Sequence, residues 1–187
     1  MVKRIFDISI VIFSIPILAL PMIFICILVL LSSKGPILYW SKRIGRHQST
    51  FQMPKFRSMR MDAPVVASHL LTDPQSFLTP IGSFLRQSSL DELPQLWSIL
   101  KGDMSFVGPR PALFNQEDLI AMREDNGIHQ LLPGLTGWAQ VNGRDELPLQ
   151  IKVNLDREYL LQKSIFFDIQ IMGLTCLKVL RRNGVSH

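Results

Sequence analysis

Residues 8–31 read ISIVIFSIPILALPMIFICILVLL, 24 consecutive positions without a charge. As a straight helix this run would measure about 36 Å, against a hydrocarbon core of roughly 30 Å. A cleaved signal peptide needs a shorter apolar region and a small-residue cleavage site, and Leu30-Leu31-Ser32-Ser33-Lys34 is a poor one. A single transmembrane helix fits the length. A re-entrant hairpin, entering and leaving on one face, fits it too. Two features favour the hairpin. Pro16 and Pro21 interrupt the run, and an interior proline removes a helix hydrogen bond and bends the helix. Basic residues flank both ends: Lys3 and Arg4 before, Lys34, Lys42, Arg43 and Arg46 after. Positive flanks prefer the cytoplasmic side, and a simple span would place one cluster outside. The expected organisation is a re-entrant helix-break-helix over 1–34, then one cytoplasmic domain over 35–187.

The chain has 187 residues, enough for one domain with a real core. Lys plus Arg number 20 against 15 Asp plus Glu, a net charge of +5. That excess suits nucleic acid, an anionic membrane or a phosphorylated substrate. There is no base-reading motif, so no nucleic-acid partner is expected. Cys26 and Cys176 lie in apolar segments and read as small core residues in a reducing compartment. His47, His69, His129 and His187 show no ligand spacing.

Beyond the Gly35-Pro36 breaker, residues 37–40 read as a short strand and 43–49 as a polar turn. Residues 51–59 read as a second strand, confined to an edge by Pro54. Residues 62–79 form a polar connection, and 81–87 a short helix. Leu90, Leu93, Trp97 and Leu100 recur at helical spacing, which predicts an amphipathic helix over 90–100, stopped by Gly102. A further acidic helix is expected over 112–126, and loop-and-strand chemistry over 132–143. Residues 149–162 and 165–182 read as helices, the last suited to the core or to a membrane interface. The fold class is small α/β, dominated by helices, with the N-terminal re-entrant element and amphipathic interfacial helices.

Residues 88–111, SSLDELPQLWSILKGDMSFVGPRP, carry the chemistry. They place Asp91 and Glu92 at a helix start, with Arg86 before and Arg110 after a Gly-Pro turn. One reading is structural: Ser89-Leu90-Asp91-Glu92 matches a capping box, in which Ser89 caps and Glu92 reaches back. Asp91 would then only favour the helix dipole. The other reading is catalytic. Adjacent helical residues diverge by about 100°, so the two carboxylates divide a task rather than share it. Aspartate can attack phosphorus and form an acyl phosphate. Phosphoryl transfer needs its nonbridging oxygens neutralised by Mg²⁺ and arginines, and carboxylates plus water are the usual Mg²⁺ ligands. Arg86 and Arg110 can supply bidentate phosphate contacts, against a default reading as surface arginines. Lys55 and Arg57 add cationic groups beside Phe56. The segment 133–144 is dense in glycine and amides and ends on Arg144; glycines let backbone approach a ligand closely.

These segments together resemble the bacterial sugar transferase family, the monotopic phosphoglycosyl transferases. The resemblance runs over nearly the whole chain and is most specific at 55–59, 89–96, 101–111 and 133–144. It implies transfer of a sugar-1-phosphate from a UDP-sugar to a polyprenol phosphate (undecaprenyl phosphate), with release of UMP. It implies Asp91 as nucleophile and Glu92 as proton handler. Mg²⁺ would be held by Asp91 and the diphosphate. Arg86, Arg110, Lys55 and Arg144 would bind substrate phosphate, and Asp156 has a less defined role. It places the enzyme at the cytoplasmic leaflet of a bacterial inner membrane, ahead of downstream glycosyltransferases in glycoconjugate assembly. Two departures stand out. Leu20-Pro21 replaces the family's Ser-Pro break, and Met53-Pro54 replaces its usual apolar-aromatic pair before Lys55. A membrane-anchored scaffold without catalysis and a phospholipid or pyrophosphate hydrolase are the competing functions.

Overall fold

The computed structural model describes residues 2–66, 73–143 and 147–181. Helix α1 runs from Val2 to Ser32 with Pro16 and Pro21 inside it. Among the described residues it is the one helix long and apolar enough to cross a membrane. Strands β1 (Leu38–Ile44) and β2 (Thr50–Phe56) pair antiparallel, with Trp40 opposite Pro54 and Tyr39 opposite Lys55. Both are edges of a two-stranded sheet, so the missing N–H of Pro54 is tolerated. Short helices α2 (Gly82–Gln87) and α3 (Leu96–Lys101) follow, then β3 (Ser105–Val107). After them come α4 (Glu117–Asp125), β4 (Gly134–Thr136) and α5 (Trp138–Asn142). The last helices are α6 (Leu149–Gln162) and α7 (Ile165–Arg181). The fold is mixed α/β and dominated by helices, as expected.

Four expectations are corrected. α1 is one continuous helix, and the break expected within it is not seen. The stretch 90–100 is not one helix: Leu90–Gln95 is a 3-10 turn, and α-helix begins at Leu96. Pro94 lies inside the turn, where it lacks the N–H that an α-helix would bond and its ring crowds the preceding turn. The loop-and-strand reading of 132–143 holds for 132–137 and fails for 138–142, which are helical. The expected helix over 112–126 is shorter, starting at Glu117, and β3 was not foreseen.

α1 packs along the domain rather than apart from it. Val11 joins the central cluster with Phe51, Leu96, Ile99, Phe106 and Ile171. Ile25 and Val29 join a second cluster with Phe56 and Leu85, against which Leu90 and Leu93 also pack. Polar ties hold both ends. Arg4 donates to the carbonyls of Ile99 and Leu100, the latter at 2.6 Å, satisfying the open C-terminus of α3. Asp7, fully buried, accepts from the Phe106 N–H at 3.2 Å. Lys3 bonds Asp168, whose other oxygen accepts from the Tyr159 hydroxyl at 2.7 Å. Burial and that carboxylate push the Tyr159 phenol well above its ordinary range. At the far end Arg57 donates to the Ser33 carbonyl and hydroxyl at 2.7 and 2.8 Å. Lys3 and Arg4, read first as membrane flanks, are thus also structural fastenings.

Candidate active site

The 3-10 turn that carries the carboxylates is aimed by its surroundings. Ser89 adopts a left-handed conformation (φ 56°) and makes no side-chain cap. The capping box therefore does not form. Glu92 turns away from its own backbone and meets Lys55 Nζ at 2.7 Å and both terminal nitrogens of Arg110 at 3.5 Å. Charged partners on β2 and beyond β3 outcompete a local hydrogen bond to a neutral amide. With three residues per 3-10 turn, adjacent side chains diverge by about 120°. Asp91 accordingly points elsewhere and is buried.

Burial is the largest influence on Asp91 and pushes its carboxyl up from 3.8 to about 6. Lys55 opposes this, Glu92 reinforces it, and Arg86 and Arg110 oppose it. Asp91, Glu92, Lys55, Arg86 and Arg110 are thus brought together. They line one cavity of about 550 Å³. Arg86 also donates to the Met59 sulfur at 3.1 Å. Arg144 lies outside the described residues.

Arg110 is positioned by groups that the sequence reading missed. Its carbonyl accepts from Arg123 Nη1 at 2.8 Å, and the next carbonyl, of Pro111, accepts from Arg43 Nη1 at 3.1 Å. Arg123 is itself held by Asp156 through Nε at 3.0 Å and Nη2 at 2.6 Å. Both partners of that ion pair are buried. Burial pushes the Asp156 carboxyl up, against the pull of Arg123 and Lys152. Asp156 thereby gains a place: it fixes the residue that fixes the Arg110 backbone. Neither Arg43 nor Arg123 stands in a motif, and 33 positions separate Arg123 from Asp156, so only the fold reveals the pair. Below them, Gly108 and Gly134 approach too closely for a side chain; a Cβ on Gly108 would lie 2.3 Å from the Leu132 carbonyl oxygen. Gly134 N–H bonds the Pro109 carbonyl at 2.9 Å, which seats the turn before Arg110.

Arg123→Gln should destabilise the fold by about 3–5 kcal/mol in urea unfolding, because it strands a buried carboxylate. Adding Asp156→Asn should recover part of that loss. A single Arg123→Gln variant as stable as the parent protein would show that the pair carries no such burden.

No group of three or more His, Cys, Asp or Glu side chains suited to a metal is present among the described residues. Mg²⁺ does not need one, since it commonly keeps several waters and takes one or two carboxylates plus substrate phosphates. Asp91 fits that role, whereas Glu92 is engaged by Lys55 and Arg110.

A buried carboxylate faced by cations, in a cavity partly lined by a membrane-length helix, is an arrangement that can serve phosphate chemistry. Residues 1–182 match the bacterial sugar transferase family, and the chain belongs to it. The uncharacterized sugar transferase EpsL of Bacillus subtilis (strain 168) is 38% identical over 185 residues, covering 99% of this chain and 90% of that protein. The UDP-glucose:undecaprenyl-phosphate glucose-1-phosphate transferase of Escherichia coli (strain K12) is 40% identical over 163 residues, 82% of this chain and 35% of that protein. A protein of the same description from Xanthomonas campestris pv. campestris is 41% identical over 167 residues, 85% of this chain and 34% of its own length. The chain thus spans most of the Bacillus relative and about a third of the two whose names state a reaction.

Proposed function

We propose that this protein is a phosphoglycosyl transferase that moves a sugar-1-phosphate from a UDP-sugar to undecaprenyl phosphate and releases UMP. The observation that carries the reading is Asp91: buried, titrating near 6, and faced by Lys55, Arg86 and Arg110. Two relatives are named for a reaction of this kind with UDP-glucose.

Asp91 attacks the phosphorus that bears the sugar, and the bond to the UMP oxygen breaks. An oxygen of the lipid phosphate then attacks the same phosphorus and frees the carboxylate. Lys55 and Arg110 rest on Glu92 and can exchange onto phosphate oxygens, where they neutralise charge that develops in transfer. Glu92, relieved of them, takes the proton of the incoming lipid phosphate. Mg²⁺, held by Asp91 and the diphosphate, would supply further charge neutralisation. Residues 1–34 serve as the membrane anchor and 35–187 as the catalytic domain on the cytoplasmic face. What supports a one-sided arrangement is that Arg4 and Asp7 at one end of the continuous helix α1, and Ser33 beyond the other, are tied to the same domain.

The test is incubation with UDP-sugars, Mg²⁺ and undecaprenyl phosphate, read as UMP release. A donor that yields UMP and a lipid-linked sugar phosphate supports the reading. Release of sugar phosphate into water favours a hydrolase, and no release with any donor favours a scaffold. The pH dependence has a definite sign. Asp91 attacks only when ionised, so the first-step rate should climb with rising pH, and bound Mg²⁺ would draw the midpoint below the value of about 6 that burial gives the metal-free carboxyl. A first-step rate that falls as pH rises from 4 to 7 would contradict the assignment.

A further inference from the structure

The cavity that holds Asp91 has two chemically different walls. One carries Lys55, Arg86 and Arg110. The other is built by Ser14 and Leu18 of α1 and by Met172, Thr175, Cys176 and Val179 of α7. The attack at phosphorus uses nothing on this second wall. Its hydroxyls are turned inward. Ser14 donates to the Ile10 carbonyl at 2.7 Å, and Thr175 to the Ile171 carbonyl at 2.8 Å while meeting the Thr136 hydroxyl at 2.7 Å. Ser and Thr that bond back to their own helix present chiefly their carbon surface. The same two helices show exposed apolar side chains on their outer sides, among them Phe13, Ile17 and Leu20 on α1 and Phe166, Ile169 and Leu177 on α7.

We propose that the wall between α1 and α7 seats the isoprenoid chain of the lipid phosphate, so that the acceptor reaches Asp91 from the side facing lipid. The inference rests on the phosphoglycosyl transferase reading. Charge and polarity both fit one amphiphile. The cationic pole takes its phosphate, and the apolar pole takes the first isoprene units. A chain leaving between α1 and α7 would meet the exposed apolar side chains of both helices. The nucleotide is left the side lined by Arg43, Gln116 and Lys152. In the second step an oxygen of the lipid phosphate bonds to the phosphorus carried by Asp91. The bond from that phosphorus to the carboxylate oxygen breaks, its electron pair stays on Asp91, and the acceptor's proton passes to Glu92.

Cys176 is an exposed reporter on this wall, and Cys26 is the chain's other cysteine. In a Cys26→Ala background, Cys176 is alkylated with a bulky maleimide after purification, so folding is not at issue. Two readouts follow: the burst of UMP with UDP-sugar alone, and transfer to undecaprenyl phosphate or to a short-chain prenyl phosphate. The burst should keep its size and rate. Transfer to undecaprenyl phosphate should slow at least about tenfold, and transfer to the short chain should slow less. Undecaprenyl phosphate, but not UDP-sugar, should protect Cys176 from the reagent. Leu18→Trp should reproduce the pattern without a label. Undiminished transfer after complete labelling would overturn the proposal, as would a burst slowed as much as transfer. Absence of any UMP from the unlabelled protein would instead overturn the functional reading, and the proposal with it.

Discussion

Asp91→Asn is expected to lose UMP release by on the order of 10⁴- to 10⁶-fold, the scale seen when a covalent enzyme loses its nucleophile. The amide is nearly the same size but cannot attack phosphorus. The variant should also be more stable than the parent. In the fold this carboxyl titrates near 6 rather than 3.8, so its ionised form is disfavoured by burial. The sign follows: below about pH 4 the group is neutral in both states and costs nothing. As pH rises from about 4 to 6 the unfolded chain ionises while the folded carboxyl resists, and above 6 the folded state bears the full cost of its buried charge. At pH 7 the neutral amide should therefore gain up to about 2–3 kcal/mol, measured by urea unfolding. A catalytic group held at a cost to stability behaves this way, whereas a carboxylate stabilised by its cations would lose stability on neutralisation. An Asn variant that is both active and less stable would remove Asp91 from the chemistry.

Arg110→Ala should lower the rate of UMP release by roughly 10²- to 10³-fold, the usual effect of deleting one preorganised donor to developing charge. Both terminal nitrogens of Arg110 meet Glu92 at 3.5 Å, the long limit of hydrogen bonding, so giving up these two contacts for phosphate costs little. Its backbone does not move with it, because Arg123 and Arg43 grip the carbonyls of Arg110 and Pro111. The guanidinium thus swings from a fixed base. Arg110→Lys keeps the charge and loses the planar fork, and should recover about tenfold of the Ala loss. Steady-state kinetics of the two variants would settle the matter, and an Ala variant within a few-fold of the parent would show that Arg110 only balances Glu92.

The sequence made some of this legible and hid the rest for definable reasons. The apolar run of α1, the helix α6 and the hairpin of β1 and β2 are long enough for periodicity and breakers to mark them. β3 and β4 have three residues each and pair in parallel across a long separation, too short for any alternation to show. The carboxylate turn was the instructive case. Ser89 to Glu92 satisfies a capping pattern, yet Lys55 and Arg110 draw Glu92 out of it. The sequence marks the pair of carboxylates, but residues on β2 and after β3 decide their geometry. The pairing of Asp156 with Arg123 has no signal in the sequence, because a buried ion pair leaves no spacing signature.

The most direct measurement is intact-protein mass analysis after incubation with UDP-sugar and Mg²⁺ without any lipid acceptor. The account predicts UMP in amounts comparable to the protein and an added sugar phosphate that maps to Asp91 and disappears when undecaprenyl phosphate is supplied. UMP formed only when the lipid is present, with no adduct at any time, would mean direct transfer between substrates and would contradict the role assigned to Asp91.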